Sequence, residues 1–106
     1  MSEDQLDLVF GALADRTRRA ILAHLATADA NVGDLTALFT MSQPAISRHL
    51  KVLEQAGLIS RNRQGTARLS HLEAAPLKDA TTWMADYRTY WSESYDRLDD
   101  LLESLD

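Results

Sequence analysis

Apolar positions recur every three or four residues through the first half of the chain. They then give way to two short runs around a glycine, and afterwards return to helical spacing. Leu6, Val9, Phe10 and Leu13 share one stripe, which predicts a first helix over residues 4–13. Asp15 stands where an N-cap belongs, and Ile21, Leu22 and Leu25 give a second helix, over 16–26, its inward face. The polar segment TADAN leads into a third helix over 32–39 that is expected to bury Leu35, Leu38 and Phe39. Thr40-Met41 makes a short turn. Ser42 is then placed to cap a fourth helix over 43–55, and Pro44 sits in its first turn, where a missing N–H is not needed. Gly57 follows as a left-handed residue just past the helix end. Residues 58–63 and 67–72 flank Gln64-Gly65-Thr66, the pattern of a β-hairpin. Pro76 opens a last, long helix over 77–104. The expectation is a mainly helical single domain over 1–106 with a small hairpin, in the order ααααββα.

The fourth helix divides its faces sharply. At about 100° per residue, Ile46, Leu50 and Leu53 fall on one stripe and Arg48, Lys51 and Gln55 opposite it. Gln43 and Ser47 lie on one flank and His49 on the other. A helix that enters the major groove of duplex DNA needs this division: an apolar face to dock, and polar side chains to meet base edges. On its own the pattern also fits any amphipathic surface helix. Two neighbours favour the DNA reading. A short helix and a tight turn precede it, and a hairpin carrying Arg61, Arg63 and Arg68 follows. Arg61 and Arg63 project to one face of their strand, and Gly65 permits a sharp tip. This is the layout of a winged helix-turn-helix, with the helix-turn-helix over 32–56 and the wing over 58–72. The wing arginines are placed to contact phosphates, although a charged hairpin edge can also serve only to deter aggregation.

The net charge of −5 argues against a nucleic-acid partner until its distribution is considered. Residues 42–72 carry five basic side chains against Glu54 alone, while both flanking segments are acidic. A basic middle between acidic ends is the electrostatic footprint of a protein that meets DNA on one face. The chain has no cysteine, which removes disulfides and thiolate metal sites. The N-terminus lacks the basic-then-apolar order of a secretory signal, and no stretch approaches the ~18 apolar residues of a membrane span. The expected location is the cytoplasm.

The stretch LTALFTMSQPAISRHLKVLEQAGLISRNRQG resembles the helix-turn-helix and wing of the ArsR-type winged-helix repressors, and LADRTRRAILAHL resembles their second helix. The similarity covers about residues 5–75 and is densest in SQPAISRHLKVLEQAGLI. It implies a homodimeric repressor on inverted-repeat operator DNA. Carried over by position, Ser42, Gln43, Ser47, Arg48 and His49 become DNA-reading residues, with Lys51 beside them and Arg61, Arg63 and Arg68 as backbone contacts. Arg16 departs from the family pattern, which has proline there. A larger departure concerns sensing. Metal-responsive members carry two cysteines at the start of the third helix, where this chain has Asn31-Val32-Gly33-Asp34-Leu35. Others use Asp, His and Glu pairs on the last helix, which here has no histidine. His24, His49 and His71 fall in three different elements without ligand spacing, and Asp96, Asp99 and Asp100 read as a solvated acidic face. The expectation is no metal sensor and no cofactor.

The last helix carries Trp83, Tyr87, Tyr90, Trp91, Tyr95, Leu98, Leu101, Leu102 and Leu105 at three- and four-residue spacing. So wide an apolar stripe on so small a chain marks a partner surface, and a second copy is the simplest partner. Trp83, Tyr87, Trp91, Tyr95, Leu98 and Leu102 are therefore predicted dimer contacts, joined by Leu6, Val9, Phe10 and Leu13 of the first helix. The competing reading is packing within the chain. YRTYWSESYDRLDDLLESL also resembles the tail of a metal-free branch of the family, whose members are often encoded beside a small ligand-binding or membrane protein. A small-molecule effector among Trp83, Tyr87 and Trp91 stays open at this level. No nucleophile elbow, phosphate-binding glycine loop or catalytic histidine–acid pair is present, so an enzyme is not expected. A winged helix used for protein contacts would show aromatic or aliphatic anchors on the fourth helix, where this chain is polar.

Overall fold

The computed structural model describes residues 1–104, without the side chain of Tyr95. Leu105 and the Tyr95 side chain, both assigned above to the apolar stripe, therefore lie outside the described residues. The order is α1 (Glu3–Leu13), α2 (Arg16–Leu25), α3 (Val32–Ala37), α4 (Gln43–Gln55), β1 (Ile59–Gln64), β2 (Ala67–Leu72), α5 (Ala75–Met84), a 3₁₀ turn (Ala85–Tyr87) and α6 (Arg88–Ser104).

Local chemistry sets most of these boundaries. Ser2 caps α1 by accepting from the Gln5 amide at 3.1 Å, with Glu3 and Asp4 favourably placed in the first turn. Asp15 caps α2 through the Arg18 amide, and Ser42 caps α4 through the Ala45 amide. Asn31 and Asp34 form a reciprocal capping box at α3. The end of α4 is a Schellman motif: Leu58 N–H donates to Leu53 C=O and Gly57 N–H to Glu54 C=O, both at 3.0 Å. Gly57 supplies the left-handed residue this needs, at φ +75°. Leu53 and Leu58, at the two ends of the motif, are both fully buried.

The core gathers Val9, Ile21, Leu35, Ile46, Leu50, Leu53 and Leu58 from four helices and the chain entering the wing. In the hairpin, Gln64 pairs with Ala67, leaving the two-residue loop Gly65-Thr66. Glycine with positive φ at the first loop position is the pattern of a type II′ turn, which suits the twist of the two strands. An element not foreseen from sequence joins the hairpin here. Ala30, just before α3, exchanges two backbone hydrogen bonds with Ser70 of β2, at 2.8 and 3.2 Å. The wing is thereby fastened to the start of the helix-turn-helix. His71 Nδ1 lies 2.7 Å from Asp29 Oδ1 across the same junction.

Three sequence expectations need correction. α3 stops at Ala37 rather than reaching residue 39, because Leu38 and Phe39 donate to Leu35 and Thr36, the tighter 3₁₀ spacing. Leu38 consequently points to solvent, and Phe39 is only partly buried. The last helix is not continuous, since the 3₁₀ turn Ala85–Tyr87 interrupts it. Just before that break, the hydroxyls of Thr81 and Thr82 both donate to the Lys78 carbonyl, at 2.6 and 3.2 Å. Such side-chain bonds compete with the helical ladder and bend helices. Finally, Val9 is wholly buried in the chain's own core and Leu6 nearly so, which removes them from the surface predicted for a partner. The helix-period stripe could not distinguish these two destinations.

α6 has a different environment from everything before it. Its main neighbour is the 3₁₀ turn, and no described residue in it is buried. At 1.5 Å per residue, 17 residues reach about 26 Å. The radius of gyration is 18.3 Å, against roughly 13 Å for a compact chain of this length. No helix among the described residues is long and apolar enough to cross a membrane.

Candidate nucleic-acid interface

The docking face of α4 is complete: Ile46, Leu50 and Leu53 are fully buried. Arg48, Lys51 and Gln55 are exposed on the opposite side, Gln43 is exposed on the flank with Ser42 at the N-terminus, and Ser47 is partly buried on the flank. In the wing, Arg63 lies directly across from Arg68 and Arg61 across from Ser70, so all three arginines share one face. Two arginines paired across strands repel each other. Among the described residues, Arg48, Lys51, Arg61, Arg63 and Arg68 have no carboxylate within 4.0 Å. Arg61 and Arg68 meet Ser47 and Val32 around a cleft of about 180 Å³ between wing and α4. Helix and wing thus meet at Ser47, Arg61 and Arg68, and among the described residues none of the five basic side chains has a carboxylate counter-ion within 4.0 Å.

His49 departs from its predicted place. It is drawn inward, with its Nδ1 at 3.2 Å from Arg18 Nη1 and 4.0 Å from Asp15 Oδ1, and its side chain is only 20% exposed. Arg18 also donates from Nε to Ala12 C=O and from Nη2 to Gly11 C=O, at 2.7 and 3.1 Å, while Arg19 donates to Leu13 C=O. Two side chains of α2 therefore donate to carbonyls at the end of α1, where positive charge is favoured. Sequence reading missed this role. The available signal was three arginines just beyond a helix that has no basic residue in its last turn. The bond from the Arg18 amide, aided by the positive charge of the Arg18 guanidinium, holds the Asp15 carboxyl below its usual value.

The positions at which metal-responsive members carry thiolates have another use here. Asn31 Oδ1 accepts from the Asp34 amide at 2.8 Å, and a Cβ on Gly33 would lie 3.3 Å from that same oxygen. Among the described residues, no three His, Asp or Glu side chains gather in a way that could hold a metal ion.

The predicted dimer residues divide into two groups. Leu6 and Val9 belong to the core, and Leu13 packs partly against it. Phe10 is half-buried and meets Trp83 edge-on at 5.6 Å, and Trp83 meets Tyr87 at 5.4 Å. Trp83, Tyr87, Trp91, Leu98 and Leu102 are exposed, the last three by 50–55%. Tyr90 and Leu101 extend the same apolar surface. Trp83 and Trp91 line separate depressions, so the three rings weighed as an effector pocket do not enclose one space.

Fold and surface together define a winged helix-turn-helix of the DNA-binding type, and comparison with known proteins makes the class specific. Residues 15–61 match the family described as bacterial regulatory protein, arsR family. The transcriptional repressor SdpR of Bacillus subtilis (strain 168) is 40% identical over 79 residues, covering 74% of this chain and 88% of the relative. The crystal structure of an ArsR family transcriptional regulator superposes with a TM-score of 0.78 at 35% identity, covering 87% of this chain and 95% of the other. A solution structure of the homodimeric winged helix-turn-helix DNA-binding domain of a possible ArsR-family regulator from Mycobacterium bovis gives 0.63 at 25% identity, covering 92% and 93%. The chain belongs to the ArsR family of transcriptional regulators. It is a regulator rather than an enzyme.

Proposed function

We propose that this protein is a cytoplasmic repressor that binds an inverted-repeat operator as a homodimer and does not depend on metal. One observation carries the reading: Arg61 and Arg68 of the wing meet Ser47 of α4 around one cleft, and Arg63 shares their strand face, all three without a carboxylate within 4.0 Å among the described residues. Gln43, Ser47 and Arg48 read base edges in the major groove, where such side chains match the donor and acceptor pattern. Ser42, the Gln43 amide and Lys51 hold phosphates. Arg61, Arg63 and Arg68 track the backbone beside the groove and set the salt dependence. Homodimer formation is supported by the exposed aromatic and leucine surface of α5 and α6 and by the homodimeric relative. Two-fold pairing would place two copies of α4 on successive half-sites about one DNA turn apart. Independence from metal is supported by the commitment of Asn31 to helix capping.

The test is binding of the purified protein to its own upstream DNA against random competitor, with and without Zn²⁺ and a chelator, alongside selection of preferred sites from a random duplex pool. The expected result is a palindromic preferred site, bound two chains per site, with no response to zinc or chelator. Zinc-dependent binding contradicts the metal-independent reading. A pool that yields no preferred site contradicts operator recognition.

A further inference from the structure

We infer that Arg18 is a positioning residue for DNA recognition, fixing α4 against α1 through the His49 ring, and that His49 acts through its Nδ1 rather than by reading a base. The inference rests on the DNA-reading function proposed above. The guanidinium is planar and offers only donors. Two of its nitrogens are anchored on the carbonyls of Ala12 and Gly11, and the third faces His49 Nδ1 at 3.2 Å. Because arginine cannot accept, Nδ1 accepts and the ring proton sits on Nε2. Asp15 Oδ1, at 4.0 Å, is the carboxylate nearest the ring. The planar fork thus joins the end of α1 to the second turn of α4, next to Arg48.

Hydrogen bonds to base edges demand narrow distances and angles, whereas flexible arginines follow a phosphate through small displacements. Loosening the fork should therefore reduce selectivity and leave the backbone contacts in place. The same fork connects the recognition helix to the helix that carries Phe10, which meets Trp83 of the exposed apolar surface edge-on. Sequence reading had assigned His49 a direct contact with DNA, and the geometry gives its Nδ1 to the protein instead.

Two substitutions at His49 separate the possibilities. Asparagine carries an acceptor oxygen at the same bond distance from the backbone as Nδ1, and glutamine carries its amide at that of Nε2. The readout is affinity for the selected operator relative to random duplex, measured in full-length protein at two salt concentrations. His49→Asn should keep this ratio within about twofold, while His49→Gln and Arg18→Lys should lower it about tenfold, the scale of one misaligned base contact. The salt slope should not change, since phosphate contacts persist. If glutamine keeps selectivity and asparagine loses it, His49 reads DNA through Nε2 and the inference falls. It also falls if operator and random affinities drop by the same factor, because the fork then only stabilises the fold. A wild-type ratio of one removes operator recognition itself, and the inference with it.

Discussion

The segment from α1 through β2 and the helix α6 are built from similar amphipathic patterns, yet they reach different ends. In the first, every apolar stripe meets another: α1, α2, α3 and α4 close on one core, the caps satisfy the helix ends, and the wing is fastened through Ala30 and Ser70. In α6, leucines and aromatic rings at the same spacing stand in solvent. Periodicity states that a face must be covered, and the chain's geometry decides whether the cover is internal. The first region closes on itself, with α5 adding Ala80 to its core, while the described apolar residues of α6 stay exposed.

That contrast can be broken from either side. The largest effect is expected from Leu53→Ala, which opens a cavity under the recognition helix at a fully buried position. A loss of about 2–5 kcal/mol in chemical denaturation is expected, and a loss near zero would mean the core is not the closed unit described. In α6, Trp91→Glu should weaken self-association in sedimentation experiments by ~2 kcal/mol or more, typical of a central interface tryptophan. At concentrations where the wild type is monomeric, stability should be unchanged; a fall there would return Trp91 to the chain's own packing. A smaller effect, about 1 kcal/mol, is expected from Asn31→Ala, which removes the α3 cap.

The smallest effect concerns the Asp29–His71 contact at the wing root. The hydrogen bond and charge of Asp29 raise the His71 pKa above its ordinary 6.5. A raised folded value means the contact stabilises fully below pH 6.5 and loses its contribution as pH rises through that folded value. Urea midpoints of wild type and Asp29→Asn should therefore converge between mildly acidic and alkaline pH. A gap that stays constant would show that the ring's charge does not matter.

Much of this was legible because it is local. Ser42, Pro44 and Gly57 bracket α4 in sequence as they do in space, and the helix's division into docking and polar faces follows from 3.6-residue geometry. Gly65 likewise marks the hairpin loop. The features that were missed depend on distant partners. Nothing near Ala30 signals pairing with Ser70, forty residues on. His49 looked like a reader because its position on α4 matches that of one, and only the approach of Arg18 from α2 shows its Nδ1 engaged. The stripe on α1 could have served a partner, and Val9 went to the core because α2, α4 and α5 of the same chain pack against α1. The interruption at Ala85–Tyr87 follows two threonines whose back-bonding only the three-dimensional structure shows.

The division of labour between α4 and the wing is tested most directly by titrating selected operator and random duplex over a range of salt with wild type, Arg48→Ala and Arg63→Ala. Arg63→Ala should weaken binding to both DNAs and flatten the salt slope by about one phosphate contact per subunit. Arg48→Ala should instead lower the operator preference by about 1–3 kcal/mol. If the two variants lose operator and random binding by the same factor, or if the slope of Arg63→Ala does not change, the assignment of base reading to α4 and backbone contact to the wing is contradicted.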